Sequence, residues 1–135
     1  MTVPKTGILV LDSSDPEPLA RFYAALLGGT VEPAPGDPDL LLVPSPTGIA
    51  LAIHRDHGQA PPSWPRPEDS QQAHLRILVA PEALDEAERE AISLGARPVA
   101  AELNGTRLDR RSDVRRCTDP AGHPFVIAAS PGVSR

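Results

Sequence analysis

Leu27-Gly28-Gly29-Thr30-Val31 and Leu94-Gly95-Ala96-Arg97-Pro98-Val99 are one passage written twice, with a shift of one residue at the end. Each closes a segment of helical periodicity that follows a strand-like run. The two passages stand about half of the 135-residue chain apart. An internal duplication commits both halves to one supersecondary plan, so whatever the first half builds the second must repeat.

In the first half, GILVLD is rich in branched aliphatics and reads as a strand over Ile8–Leu11. Asp15-Pro16-Glu17 then opens a helix. Asp15 is placed to cap the orphan amides, Pro16 suits the first turn, and Glu17 complements the positive end of the dipole. Leu19, Phe22, Tyr23, Leu26 and Leu27 recur at helical spacing as one apolar stripe. Gly28-Gly29 supplies a left-handed stop. Three further strands are predicted at Thr30–Pro33, Leu40–Val43 and Ile49–Arg55.

The second half opens with the strand HLRILV. Pro81-Glu82 starts its helix, Leu84, Ala87, Ala91, Ile92 and Leu94 line the apolar face, and Gly95 closes it. Strands follow at Pro98–Glu102, Ser112–Thr118 and Pro124–Ala129. GDPD, SPTG and DPAG provide the proline, aspartate and glycine of tight connections. The 17 prolines cluster between the apolar runs, where a missing backbone donor does least harm. The predicted fold is therefore α+β: two tandem βαβββ modules, about 5–58 and 72–130, joined by a proline-rich connector over 59–71, in one domain.

Composition removes several function classes. At 40% hydrophobic residues and a net charge of -5 the chain can bury a core and is not a disordered one. The acidic balance argues against nucleic acid as a partner. No apolar run reaches the ~20 residues of a membrane span, and MTVPKTG lacks a signal-peptide core. Cys117 is the sole cysteine, which excludes an internal disulfide and suits a reducing cytoplasm. A buried structural thiol is its expected role. The basic run RLDRRSDVRR stands apart, either as a solvated loop entering a strand or as a site for an anion or acidic partner. There is no nucleophile elbow, phosphate loop or dinucleotide fingerprint.

The duplicated order resembles the vicinal oxygen chelate superfamily, which contains glyoxalase I, extradiol dioxygenases and bleomycin-resistance proteins. DPEPLARFYAALLG (15–28) looks like its first helix and DPAGHPFVIA (119–128) like its final hairpin, while PPSWPRPEDSQQAHLRILV looks like the connector of its small glyoxalase-like members. The resemblance implies a curved, cup-shaped mixed sheet with helices outside, and commonly a homodimer. It also implies metal ligands on the first and last strands of each module.

Those positions can be read by residue type. On the first strand the position falls on Gly7 or Ile8, neither a donor. On the second module's first strand it falls on His74, the only matching ligand. On the final strand a glutamate is expected near Val126, and no acid lies between Asp119 and the C-terminus. His54, ending the first module's last strand, could add a second donor, and Asp12 could substitute with some distortion. No metal or other cofactor is expected on this reading.

With period-two alternation His74, Arg76 and Leu78 share one strand face, and Leu75, Ile77 and Val79 the other. The aliphatic set should pack under a helix, which turns His74 and Arg76 toward the implied concavity. Val10, Val126 and Ala128 would form an apolar floor, the kind of surface that suits an organic ligand. Arg76 then meets either the ligand or an internal carboxylate such as Asp12, and His74 is either a ligand contact or a pocket-wall residue. Trp64, in a stiff proline-rich segment, has three open roles: stacking on a planar ligand, touching a second subunit, or covering a sheet edge. Phe22, Tyr23 and Phe125 are read as core, and His123 as part of a turn.

The candidate ligand-binding set is thus Val10, Asp12, His54, Trp64, His74, Arg76 and Val126. The leading expectation is a metal-free protein that sequesters a hydrophobic or aromatic natural product or drug. The alternatives are a divalent-metal lyase, isomerase or dioxygenase, and a metal-independent enzyme with His74 as acid–base.

Overall fold

The computed structural model describes residues 3, 5–46, 48–58, 73–99, 102–103, 106–107 and 114–130. The chain divides into two compact units, residues 1–60 and 61–135.

In the first unit β1 (Leu9–Ser13) leads into α1 (Pro16–Leu27), followed by β2 (Glu32–Ala34), β3 (Asp37–Val43) and β4 (Leu51–Arg55). The sheet order is β1-β4-β3-β2. β1 runs parallel to β4, and the other pairs are antiparallel. α1 packs on β3 and β4, and its stripe of Leu19, Phe22, Tyr23 and Leu27 is buried with Val43, Leu51 and Ile53 of the sheet. Phe22 and Tyr23 meet edge to face, with ring centroids 4.9 Å apart.

The helix stops where the sequence predicts. Gly28 has φ of 72°, and the Gly29 amide donates to the Ala24 carbonyl at 2.8 Å. Gly29 is required for space rather than torsion, because a Cβ there would overlap the Pro44 carbonyl.

The start of α1 corrects one expectation. Asp15 occupies the cap position, but its carboxylate caps nothing. A capping oxygen reaches the amides of the second or third helical residue. The third here is Pro18, which has no amide hydrogen to offer. Instead the Asp15 amide donates to Ser13 Oγ at 3.1 Å.

The second unit repeats the topology. β5 (Leu75–Val79) precedes α2 (Leu84–Leu94), then come β6 (Arg97–Pro98), β7 (Glu102–Leu103), β8 (Thr106–Arg107), β9 (Val114–Thr118) and β10 (Pro124–Ala129). The four-stranded sheet is ordered β5-β10-β9-β6, again with a parallel first pair. α2 packs on β10 and β9. Gly95 ends it with φ of 124°, and the Ala96 amide donates to the Ala91 carbonyl at 2.9 Å.

Strand ends shift by one or two residues in β1, β2 and β4, and three larger differences stand out. Pro81–Ala83 forms a 3-10 turn, and the α-helix proper begins at Leu84. The single strand expected over Pro98–Glu102 is replaced by the short edge strand β6 and a separate β7–β8 hairpin. Asp37-Pro38-Asp39, expected as a turn, belongs to β3, and the reversal falls at Pro35-Gly36, where Gly36 has φ of 79°. Of the prolines inside strands, Pro33 and Pro98 lie on edge strands and Pro124 is the first residue of β10, while Pro38 lies in the internal strand β3, ahead of the residues that pair with β4. Among the described residues no helix is long and apolar enough to cross a membrane.

Candidate functional site

Side chains of paired residues on neighbouring strands project to the same face of a sheet, so the registers sort each module's residues into two faces. In the second module one face carries Leu75, Phe125 and Cys117, then Ile77, Ile127 and Arg115. This is the helix side, because Arg115 reaches α2. Its Nη2 lies 2.8 Å from Asp85 Oδ1, and its Nε lies 3.4 Å from Glu88 Oε1. Arg115, only 9% exposed, is therefore a structural cation.

The opposite face carries Arg76, Val126 and Arg116 in one cross-strand row and Leu78, Ala128 and Val114 in the next. Val126 and Ala128 are buried at its centre, while Arg76 is exposed and Leu78 is 52% exposed. His74 stands just ahead of β5, exposed, two residues before Arg76. The alternation read from HLRILV therefore describes this face, and Arg76 and Val126 are direct neighbours across the parallel β5–β10 pair. Thr118, half-buried, follows Arg116 at the next same-face position of β9.

In the first module the face away from α1 carries Val10, Ala52, Leu42 and Glu32 in one row, and Asp12, His54 and Leu40 in the next. Val10, Asp12 and His54, singled out from the sequence, share this face. His54 Nδ1 lies 3.5 Å from Asp12 Oδ1. Asp12 thus sits beside a histidine, and among the described residues Arg76 makes no ion pair. Trp64 falls outside the described residues.

The donor set does not fit a divalent ion of the kind the resemblance implies. Such a site needs several nitrogen, oxygen or sulfur donors converging on one point. By register Arg76 of β5 corresponds to Val10 of β1, which makes Ile8 the counterpart of His74. Ile8 and Val126 are hydrocarbon, and among the described residues no three His, Cys, Asp or Glu side chains group to hold a metal.

Two other candidates resolve into structure. In the β9–β10 turn the buried Asp119 carboxylate accepts the amides of Ala121 and His123 at 2.9 and 3.0 Å, and His123 Nδ1 lies 3.0 Å from its second oxygen. His123 is a turn residue, as read from DPAGHPF. Cys117 is fully buried, and burial, with a smaller contribution from the Glu88 carboxylate, pushes its thiol up from 9.0 to about 11. A thiol held protonated in this way is inert rather than nucleophilic.

Arg116 and Thr118 were not among the residues singled out for the site. In Arg115-Arg116 the two faces differ by one residue, and only the β9–β10 register decides which arginine meets α2. A usable signal existed in the alternation of Val114, Arg116 and Thr118 against the apolar Cys117.

A family model described as a glyoxalase-like domain matches residues 8–128 of the chain. Solved structures of similar fold include a genomically encoded fosfomycin resistance protein, FosX, from Listeria monocytogenes. It is 12% identical with a TM-score of 0.67, and the match covers 97% of each chain. A glyoxalase/dioxygenase from Nostoc punctiforme is 20% identical with a TM-score of 0.64, covering 94% of this chain and 91% of that one. A glyoxalase/bleomycin resistance protein/dioxygenase family enzyme from Burkholderia phytofirmans PsJN is 14% identical with a TM-score of 0.62, covering 90% and 95%. Identities this low speak for the fold alone. Among curated proteins no sequence matches significantly.

Proposed function

The chain belongs to the glyoxalase-like family of the vicinal oxygen chelate superfamily, and from that footing we propose that it is a metal-independent small-molecule-binding protein. Its ligand is a hydrophobic or aromatic natural product or drug, held on the face of the second module's sheet turned away from α2. The observation that carries this reading is Val126. Where the family resemblance calls for a metal-binding carboxylate, a valine only 4% exposed sits between Arg76 and Arg116, beside the aliphatic row of Leu78, Ala128 and Val114. Its hydrocarbon offers no donor to a cation, and the neighbouring Leu78, half exposed, offers apolar area to an organic ligand.

Binding without turnover would act by mass action, since a sequestered compound is withdrawn from its target. Names of similar structures include resistance proteins for fosfomycin and bleomycin, and protection by capture is compatible with this family. Fold alone does not choose among its functions. The reading also takes the protein to be a cytoplasmic homodimer without a nucleic-acid partner.

The test is a panel of planar and hydrophobic natural products screened by melting-temperature shift, with and without a chelator. A ligand that binds only the folded state raises the melting temperature in proportion to its occupancy. The expected result is a rise with one or more compounds that the chelator leaves unchanged. A rise that vanishes on chelation and returns with a divalent ion would replace this reading with the metalloenzyme one.

A further inference from the structure

The duplication supplies an internal control for one row of residues. Across β1, β4 and β3 the first module places Val10, Ala52 and Leu42 side by side. The equivalent row across β5, β10 and β9 of the second module is Arg76, Val126 and Arg116. The central residue stays aliphatic while both flanks change from hydrocarbon to guanidinium. Neighbouring strands lie ~4.8 Å apart, so the two arginine backbones are separated by about 10 Å with Val126 alone between them.

Neither guanidinium has a hydrogen-bond or ion-pair partner among the described residues. Three of this module's acids are engaged elsewhere. Asp85 and Glu88 meet Arg115 on the other side of the sheet, and Asp119 holds the β9–β10 turn. Arg116 is moreover half-buried. Two cations that share an apolar row without a counter-charge repel one another, and partial burial raises the cost. An anion lying over Val126 removes both penalties at once. The planar fork of a guanidinium matches the two oxygens of a carboxylate or phosphoryl group.

We propose that Arg76 and Arg116 form a two-armed clamp for an oxyanion on the ligand, a carboxylate or a phosphonate. The ligand's apolar part rests on the exposed Leu78, in the row next to the two arginines. Thr118, next to Arg116 on this face, adds a hydroxyl at the margin. This deepens the reading of the site given above and rests on it: the bound molecule is an amphiphilic organic anion rather than a neutral hydrophobe.

Calorimetric titration with three probes of similar shape tests the clamp: phenylphosphonate, benzoate and the neutral benzamide. The anions are expected to bind at least about tenfold more tightly than benzamide, as one charge-assisted pair would provide. Arg76→Gln and Arg116→Gln should each weaken the anions about tenfold and leave benzamide unaffected. Arg116→Lys should retain part of the affinity, and Arg89→Gln on the exposed side of α2 should change nothing. Because neither clamp side chain makes an internal bond, both Gln variants should melt as the wild type does, which separates lost binding from lost folding. The preference between phenylphosphonate and benzoate identifies which oxyanion the clamp fits.

Benzamide binding as tightly as the anions, or anion binding that survives the double variant, overturns the clamp and leaves the small-molecule reading standing. So does failure of all three probes while a neutral compound of the natural-product panel still raises the melting temperature. If the whole panel and the probes fail together, the small-molecule reading fails and the clamp falls with it.

Discussion

Cys117 shows how a single residue can be read two ways and decided by its surroundings. Beside Arg115 and Arg116 in sequence, its thiol has the neighbours that would lower a pKa. In the fold Arg116 points to the other sheet face, Arg115 is occupied by Asp85 and Glu88, and burial raises the thiol to about 11. The folded state therefore keeps the proton after the unfolded chain has lost it. The contribution to stability is whole below pH 9.0 and disappears as pH climbs through about 11. Unfolding followed in denaturant across that window should show the wild type losing stability more steeply than Cys117→Ala, and a thiol reagent should leave the native protein unlabelled. Equal slopes for the two proteins would contradict the assignment.

At the scale of elements, the helix-side ion pairs join β9 to α2. Asp85 is 69% exposed and contributes little, because water screens it, whereas Glu88 is only 17% exposed and depends on the guanidinium. Arg115→Ala should cost about 2 kcal/mol, between the exposed-pair and buried-pair limits, measured by equilibrium unfolding. The same variant should bind the anion probes as the wild type does, since its side chain lies on the helix face. Loss of probe binding with unchanged stability would mean that the two arginines have been assigned to the wrong faces.

Elements were also where the sequence was most and least informative. Helix stripes and glycine stops were legible because they depend on local periodicity and local torsion. The faces of β5 were legible because two-residue alternation needs no partner strand. Strand order and register were not, and these decide that Val126 sits between Arg76 and Arg116 and that Asp12 sits beside His54. The idle cap at Asp15 was recoverable from Pro18, whose missing amide is visible in the sequence itself. The β6 and β7–β8 arrangement had no such local signal.

For the whole molecule, the duplication accounts for the family fold, and the two linings account for the proposed metal-independent binding. Each half builds the same four-stranded sheet under one helix, and each leaves a sheet face uncovered by its own helix. The halves then diverge in lining: a carboxylate–histidine pair beside aliphatics in the first, two arginines about a valine in the second. Among the described residues neither lining groups three metal donors, and both mix apolar side chains with a few polar groups, as sites for organic ligands do.

The most direct measurement is a titration of the metal-stripped protein, followed through the emission of its single tryptophan, Trp64, with the compounds that raise the melting temperature. The account predicts saturable quenching with the same Kd before stripping, after it, and after adding back zinc, iron, nickel or manganese. Quenching that is lost on stripping and recovered only with one of those ions would contradict it.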